Sequence, residues 1–303
     1  MISPQFHSIH KNPPGELHRN DNFPGRFEPL SIDCQEKVWG ARKFKGMEKR
    51  RIVPSCQGPF VFELHQVGCT FGASVALSEV SLTIGSGERV ALLGSSGAGK
   101  STLLGILNGT HVPSTGTVRV LGQDLSHCAP RQLRRIQRQV GTVHQQHHLV
   151  SHLAVIHNVN AGQLGRWSLG KAVWSLLWPQ ETATAAEALA QVGIADKLYA
   201  RTDRLSGGEQ QRVAIARVLV QDPTVLLADE PIASVDPTRA RDLMDRLRQL
   251  CRETGKTLVV SLHDVAFARS HCDRIIGLQR GRVQFDLPTA AVTTAHVEAL
   301  YRL

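Results

Sequence analysis

An α/β fold built around a buried and mostly parallel sheet is what this sequence predicts, and three observations carry that prediction. Residues 224–228 and 257–262 are almost wholly apolar, as strands covered on both faces are. Between them, residues 239–251 set Leu243, Met244, Leu247, Leu250 and Cys251 three and four apart, the spacing of an amphipathic helix. Strand, helix and strand in that order imply a right-handed parallel crossover. Upstream, the apolar run 90–93 enters a glycine-rich turn and leaves it as a helical segment, 102–107.

The 303 residues, 42% of them apolar, suffice for one large α/β domain or two modest ones. No apolar run reaches the roughly 18 to 20 residues that cross a bilayer, and the nearest, 172–178, stops at Pro179. Residues 1–20 mix His, Pro and charge and lack the apolar core of a secretory leader, so a cytoplasmic protein is expected. Six scattered cysteines (Cys34, Cys56, Cys69, Cys128, Cys251 and Cys272) form no CxxC pair, which argues for reduced thiols over a disulfide framework or structural zinc. The net charge of +9 is spread along the chain. Its densest runs, 42–51 and the set Arg131, Arg134, Arg135 and Arg138, read as solvated faces rather than a nucleic-acid groove.

Residues 1–58 are interrupted by Pro4, Pro13, Pro14, Pro24, Pro29 and Pro54 and are expected to form a poorly ordered extension, or to be partly untranslated if synthesis begins at Met47. The folded domain is expected over 59–303. Its front is rich in strands, at 60–64, 80–84, 89–93, 117–121 and 140–143, with a basic helix at 131–138. Gly109, just past the last apolar position, ends the 102–107 helix. Residues 149–222 read as a mostly helical subdomain, alanine-rich at 183–192 and helical again at 214–220. Trp167, Trp174 and Trp178 cluster there, as either a partner surface or core filling.

The glycine-rich turn is Gly94-Ser95-Ser96-Gly97-Ala98-Gly99-Lys100-Ser101, followed by Thr102. Between a strand and a helix this spacing makes a phosphate-binding loop: glycines let the backbone curl its amides around phosphates, and the helix start adds its positive dipole end. Lys100 is expected at the β- and γ-phosphates and Ser101 on a magnesium ion. Such a chain also needs an acidic element at the end of a buried strand. Asp229 and Glu230 follow the run 225–228, Asp229 suited to hold magnesium through water and Glu230 to polarise the attacking water.

Residues 205–212, Leu205-Ser206-Gly207-Gly208-Glu209-Gln210-Gln211-Arg212, resemble the signature loop of the ATP-binding cassette ATPases. A small hydroxyl, two glycines and a helix beginning near Glu209 form a second anion site. The resemblance, which covers about residues 60–303, implies a P-loop NTPase with a mixed or parallel sheet core, an antiparallel β subdomain and a helical signature subdomain. It further implies that Ser206, Gly207, Gly208 and Glu209 meet the γ-phosphate of ATP held by a second copy, two chains closing head to tail over two ATPs. Phe71 resembles the aromatic that stacks on adenine, where relatives more often carry Tyr. Gln145 resembles the glutamine that touches metal and water, although the residue before it is His144 where relatives usually have Phe. Asp236 resembles the loop linking the two nucleotide sites, and His263 the histidine at the γ-phosphate. His147, His148, His152 and His157 lack metal-ligand spacing and read as surface or partner-facing residues.

Within the family, the run 228–237, the tryptophan-containing insert and the tail with Leu300, Tyr301 and Arg302 are most similar to the ATPase subunit of phosphonate importers. The expected cofactors are therefore ATP and Mg2+. The expected partners are a second copy, two transmembrane permease subunits and, indirectly, a periplasmic substrate-binding protein, at the cytoplasmic face of the inner membrane and without nucleic acid. The alternatives are another cargo, such as phosphate, an amino acid or a released lipoprotein, or a soluble cassette acting on nucleic acid. One phosphate loop, one signature and no sustained heptad weigh against the last.

Overall fold

A computed structural model describes residues 60–145, 148–233 and 236–302, which lie within one compact unit, 53–303. The expectations for 1–58, a start at Met47 among them, fall outside the described residues. In chain order the elements are β1 (Phe60–Phe71), β2 (Ser74–Gly85), β3 (Arg89–Leu93), α1 (Lys100–Leu107), β4 (Thr115–Val120), β5 (Gln123–Asp124), α2 (Pro130–Gln139) and β6 (Val140–Val143). Helices α3 (Val155–Asn160), α4 (Leu169–Leu177), α5 (Thr182–Gln191) and α6 (Gly207–Gln221) follow. The chain ends with β7 (Val225–Asp229), α7 (Pro237–Thr254), β8 (Thr257–Leu262), α8 (Val265–His271), β9 (Arg274–Gln279), β10 (Arg282–Pro288) and α9 (Thr294–Tyr301).

Two sheets result. The antiparallel one has the order β2-β1-β4-β5, and the larger one the order β10-β9-β3-β8-β7-β6. In the larger sheet every pair from β9 to β6 is parallel, and only β10 runs against its neighbour. The mixed, mostly parallel core and the antiparallel companion are those expected. Several elements differ from the sequence reading. β1 and β2 run through Gly68 and past Val80 into one long hairpin, because register shifts between Leu64 and Cys69 absorb the residues that break the alternation. α6 begins at Gly207 rather than near Glu209, since Ser206 caps it.

The strands of the larger sheet sort their side chains by the two-residue period of the pleat. Val90 and Leu92 enter one buried cluster with Val225, Leu227 and Val259, under α1 and the antiparallel sheet. Ala91 and Leu93 enter the other with Leu226, Val260 and Leu262, under α3, α5, α6 and α7. Burying each such leucine contributes about 1.5 to 3 kcal/mol. The sheet is covered on both faces, which is why residues 257–262 carry so few polar atoms. Its exposed edge of chemistry is the carboxyl end, where β3, β7 and β8 finish side by side.

Candidate active site

Backbone constraint shapes the loop after β3. Gly94 has φ +156° and a Cβ there would stand 2.3 Å from the Leu278 carbonyl oxygen of β9; Gly99 has φ +103° and its Cβ would meet the Ala76 oxygen at 2.6 Å. Neither position tolerates a side chain. Between them Ser96 and Gly97 are exposed, Ser95 is half-buried, and Ala98 is buried with its carbonyl accepting the Gly281 N–H at 3.0 Å. Lys100 opens α1 and is 4% exposed. Its Nζ donates to the Gly94 oxygen at 2.8 Å and the Ser95 oxygen at 3.0 Å. Burial lowers the Lys100 pKa, against the opposing pull of the negative Glu230 and Asp229. Ser101 is exposed and Thr102 half-buried on the first turn, where the helix leaves amides without intrahelical acceptors.

The two acidic residues are fixed by a residue that sequence reasoning missed. Ser261 lies fully buried in β8, donates its hydroxyl to Asp229 Oδ1 at 2.7 Å and accepts the Glu230 N–H at 2.8 Å. The available signal was a hydroxyl inside an otherwise apolar strand. Glu230 sits in the left-handed region, φ +48°, a conformation that costs about 1 kcal/mol or more. Its carboxylate bridges two of the expected residues: Oε2 accepts from Gln145 Nε2 at 3.2 Å, and Oε1 lies 2.5 Å from His263 Nε2. A carboxylate only accepts, so the proton of that bond belongs to Nε2.

Tyr301 of α9 is a second missed residue. Its phenol donates to the His263 carbonyl at 3.3 Å, and its oxygen also meets the Gly94 backbone. Burial raises its pKa, with the Gly94 contact acting the other way. The C-terminal helix thereby touches both the phosphate loop and the segment carrying His263.

Five expected residues, Lys100, Gln145, Asp229, Glu230 and His263, are brought together. Phe71 ends β1 half-exposed, its ring edge-on to His111 with centroids 5.3 Å apart. Asp236 caps α7, accepting the Arg239 N–H at 3.1 Å and pairing with the Arg239 guanidinium at 3.2 Å; residues 234–235 of its loop lie outside the described residues. His147 does too. The His144 and His148 rings lie with centroids 4.8 Å apart and planes tilted by 50°, while His152 lies 3.6 Å from Asp203.

Ser206 to Glu209 form a reciprocal cap. Ser206 Oγ accepts the Glu209 N–H at 3.3 Å, and Glu209 Oε2 accepts the Ser206 N–H at 2.8 Å. The Ser206 backbone N–H holds the Glu209 carboxyl below its ordinary value. Gly207 and Gly208, next in the helix, have open space where side chains would be. Gln211 ties α6 to the acidic segment by donating to the Pro231 carbonyl. Among the described residues, no hydrogen bond or ion pair joins 206–209 to the loop 94–101.

The ABC transporter family model matches residues 77–233 of this chain. The phosphonates import ATP-binding protein PhnC of Anaeromyxobacter dehalogenans (strain 2CP-C) is 49% identical over 78% of the chain, which spans 47% of that longer relative. Its namesake from Pseudomonas fluorescens (strain Pf0-1) is 46% identical over 75% of the chain and 85% of its own length. Among solved structures, the dimeric structure of MJ0796, a bacterial ABC transporter cassette, is 32% identical with a TM-score of 0.68, covering 75% of this chain and 98% of that one. A post-hydrolysis dimer of the same cassette, bound to ADP and Pi, aligns with a TM-score of 0.64.

Proposed function

The chain belongs to the ABC transporter family as one of its ATP-binding cassettes, and from that premise we propose that it is the ATP-hydrolysing subunit of an importer of phosphonates. The observation that carries the ATPase reading is the Glu230 carboxylate held between Gln145 and His263, at the strand ends beside Lys100. The cargo rests on the relatives' name, phosphonates import ATP-binding protein.

In this reading the loop 94–99 and the first turn of α1 take the phosphates of ATP, Phe71 stacks on adenine, and Lys100 exchanges its two carbonyl acceptors for phosphate oxygens. Ser101 and Asp229 suit a hard cation: one offers an exposed hydroxyl, the other a carboxylate with only Oδ1 engaged by Ser261. Gln145 stands beside them as a third oxygen donor. Bound there, Mg2+ neutralises phosphate charge. Glu230 orients and polarises the attacking water, and His263 Nε2–H fixes which way the carboxylate faces. Ser206 to Glu209 of a second copy, with Asp236 at the junction of the two nucleotide sites, complete each site. Gln145 lies at the start of the segment leading into the helical region, through which closure reaches two membrane subunits. A periplasmic binding protein acts on them in turn, with the cassette peripheral at the cytoplasmic face.

Among the described residues no helix is long and apolar enough to cross a membrane; in this reading translocation belongs to the partner subunits. The test is co-purification with the membrane subunits followed by ATPase assay in the reconstituted assembly. Stimulation by methylphosphonate with the cognate binding protein is expected. Stimulation by a different cargo alone contradicts the phosphonate assignment while leaving the ATPase in place.

A further inference from the structure

Helix α4 is amphipathic with its polarity reversed. Among its described side chains the buried one is the polar Ser175, whose hydroxyl donates to the Ala172 carbonyl at 2.7 Å. Leu169, Val173 and Trp174 face outward, 82%, 56% and 59% exposed, and Trp178 at the C-terminal cap is 67% exposed. Leu169 with Val173, and Trp174 with Trp178, are each four apart, so an apolar strip runs the length of the helix. Of the clustered tryptophans only Trp167 is half-buried, with the Lys171 ammonium 4.8 Å from its ring centroid. Exposed one by one, such residues need no partner; together on one short helix they mark a surface that something covers.

Charge indicates what covers it. Residues 125–180 contain no Asp or Glu, yet carry Arg131, Arg134, Arg135, Arg138, Arg166 and Lys171. Lys171 pairs with Glu181, and the four arginines of α2 are exposed. A Cβ on Gly165 would lie 3.1 Å from Arg138 Cγ, so α2 adjoins the segment that leads into α4. A second copy presenting this face would set arginine against arginine. An anionic bilayer surface suits it: indole rings settle at the level of the headgroups, and cations meet the lipid phosphates. We propose that the α4 face rests on the headgroup region of an anionic lipid bilayer, with Trp174 and Trp178 entering the interface and the α2 arginines meeting phosphates. This contact is made to lipid directly and requires neither the permease nor the cargo assignment.

The test uses the full chain with MgADP, which fills the phosphate loop. It measures flotation with phosphatidylglycerol/phosphatidylcholine vesicles and with phosphatidylcholine alone, and quenching of tryptophan emission by lipids brominated in the acyl chain. The wild-type chain is expected to float with the mixed vesicles and to be quenched. Most of that binding should disappear when salt rises from about 0.1 M to about 1 M and the screening length falls from about 10 Å to about 3 Å. The variants W174S/W178S and R131Q/R134Q/R135Q are each expected to bind at least roughly tenfold more weakly. Their MgADP affinity should stay unchanged, which also shows that they fold. Equal binding by either variant would assign the contact elsewhere, the basic run 42–51 being intact in both, and overturns the proposal. Failure of the wild-type chain to bind the mixed vesicles overturns it too, as does equal binding to phosphatidylcholine alone. Binding that appears only with the membrane subunits present would give the face to a protein and overturn it as well.

Discussion

His263 Nε2 and Glu230 Oε1 are 2.5 Å apart, with Gln145 on the other carboxylate oxygen. One acid is thus oriented from β7, β8 and the segment after β6 at once. If Glu230 polarises water, Glu230→Gln should keep the shape and lose the chemistry. ATP affinity is expected to change little and kcat to fall about 100-fold or more. Equilibrium nucleotide binding and steady-state hydrolysis on the same preparation check this, and undiminished turnover removes Glu230 from the role.

Tyr301 reaches the same machinery from the last helix. Tyr301→Phe deletes the hydroxyl that holds the His263 carbonyl and meets Gly94. The loss of one hydrogen bond, about 1 kcal/mol, should appear as a roughly fivefold fall in kcat with KM for ATP unchanged. A change confined to KM would mean that the phenol serves nucleotide binding instead.

Lys100 gives a proton-linked prediction. Its pKa is lowered chiefly by burial, so between that lowered value and about 10.4 the folded chain holds fewer protons than the unfolded one. Nucleotide-free stability therefore rises with pH across that window. Phosphate beside the ammonium restores the charged form, so ATP binding at alkaline pH should take up protons. Calorimetry in two buffers of different ionisation enthalpy measures the uptake, and Lys100→Met should abolish it.

The cap of α6 contributes to stability. Ser206→Ala removes the acceptor for the Glu209 N–H and should cost about 1 kcal/mol in urea unfolding. Glu209 has a lowered pKa, so its share of stability is complete above its unfolded value of about 4.3 and is lost as pH falls through the folded one. The gap between wild type and variant should narrow below about pH 4.

Much of this was legible in the sequence because it is local. The loop 94–101, the capped helix start at Ser206 and the acidic pair after an apolar strand each declare themselves within ten residues. Residues that act across the fold do not. Ser261 looks like a stray hydroxyl until β7 and β8 lie side by side and its Oγ falls between Asp229 and Glu230. Tyr301 is 38 residues from His263, and the tail's likeness to relatives says nothing of which atom it touches. Strand pairs β9 and β10 escaped because Gly277 and Gly281 interrupt their pattern, yet Gly281 closes the loop through Ala98 and Ser78. The arginines of α2 read as a solvated face, and only the approach of Arg138 to Gly165 sets them beside the entry to α4.

The central claim is that the loop 94–101 and the signature 206–209 complete one site only between two chains. The mass of the Glu230→Gln chain in solution, with and without MgATP, tests it most directly. The account predicts a monomer that doubles in mass when MgATP is added, and no doubling when Ser206→Arg is combined with it. A Glu230→Gln chain that binds MgATP and keeps a single-chain mass would contradict it.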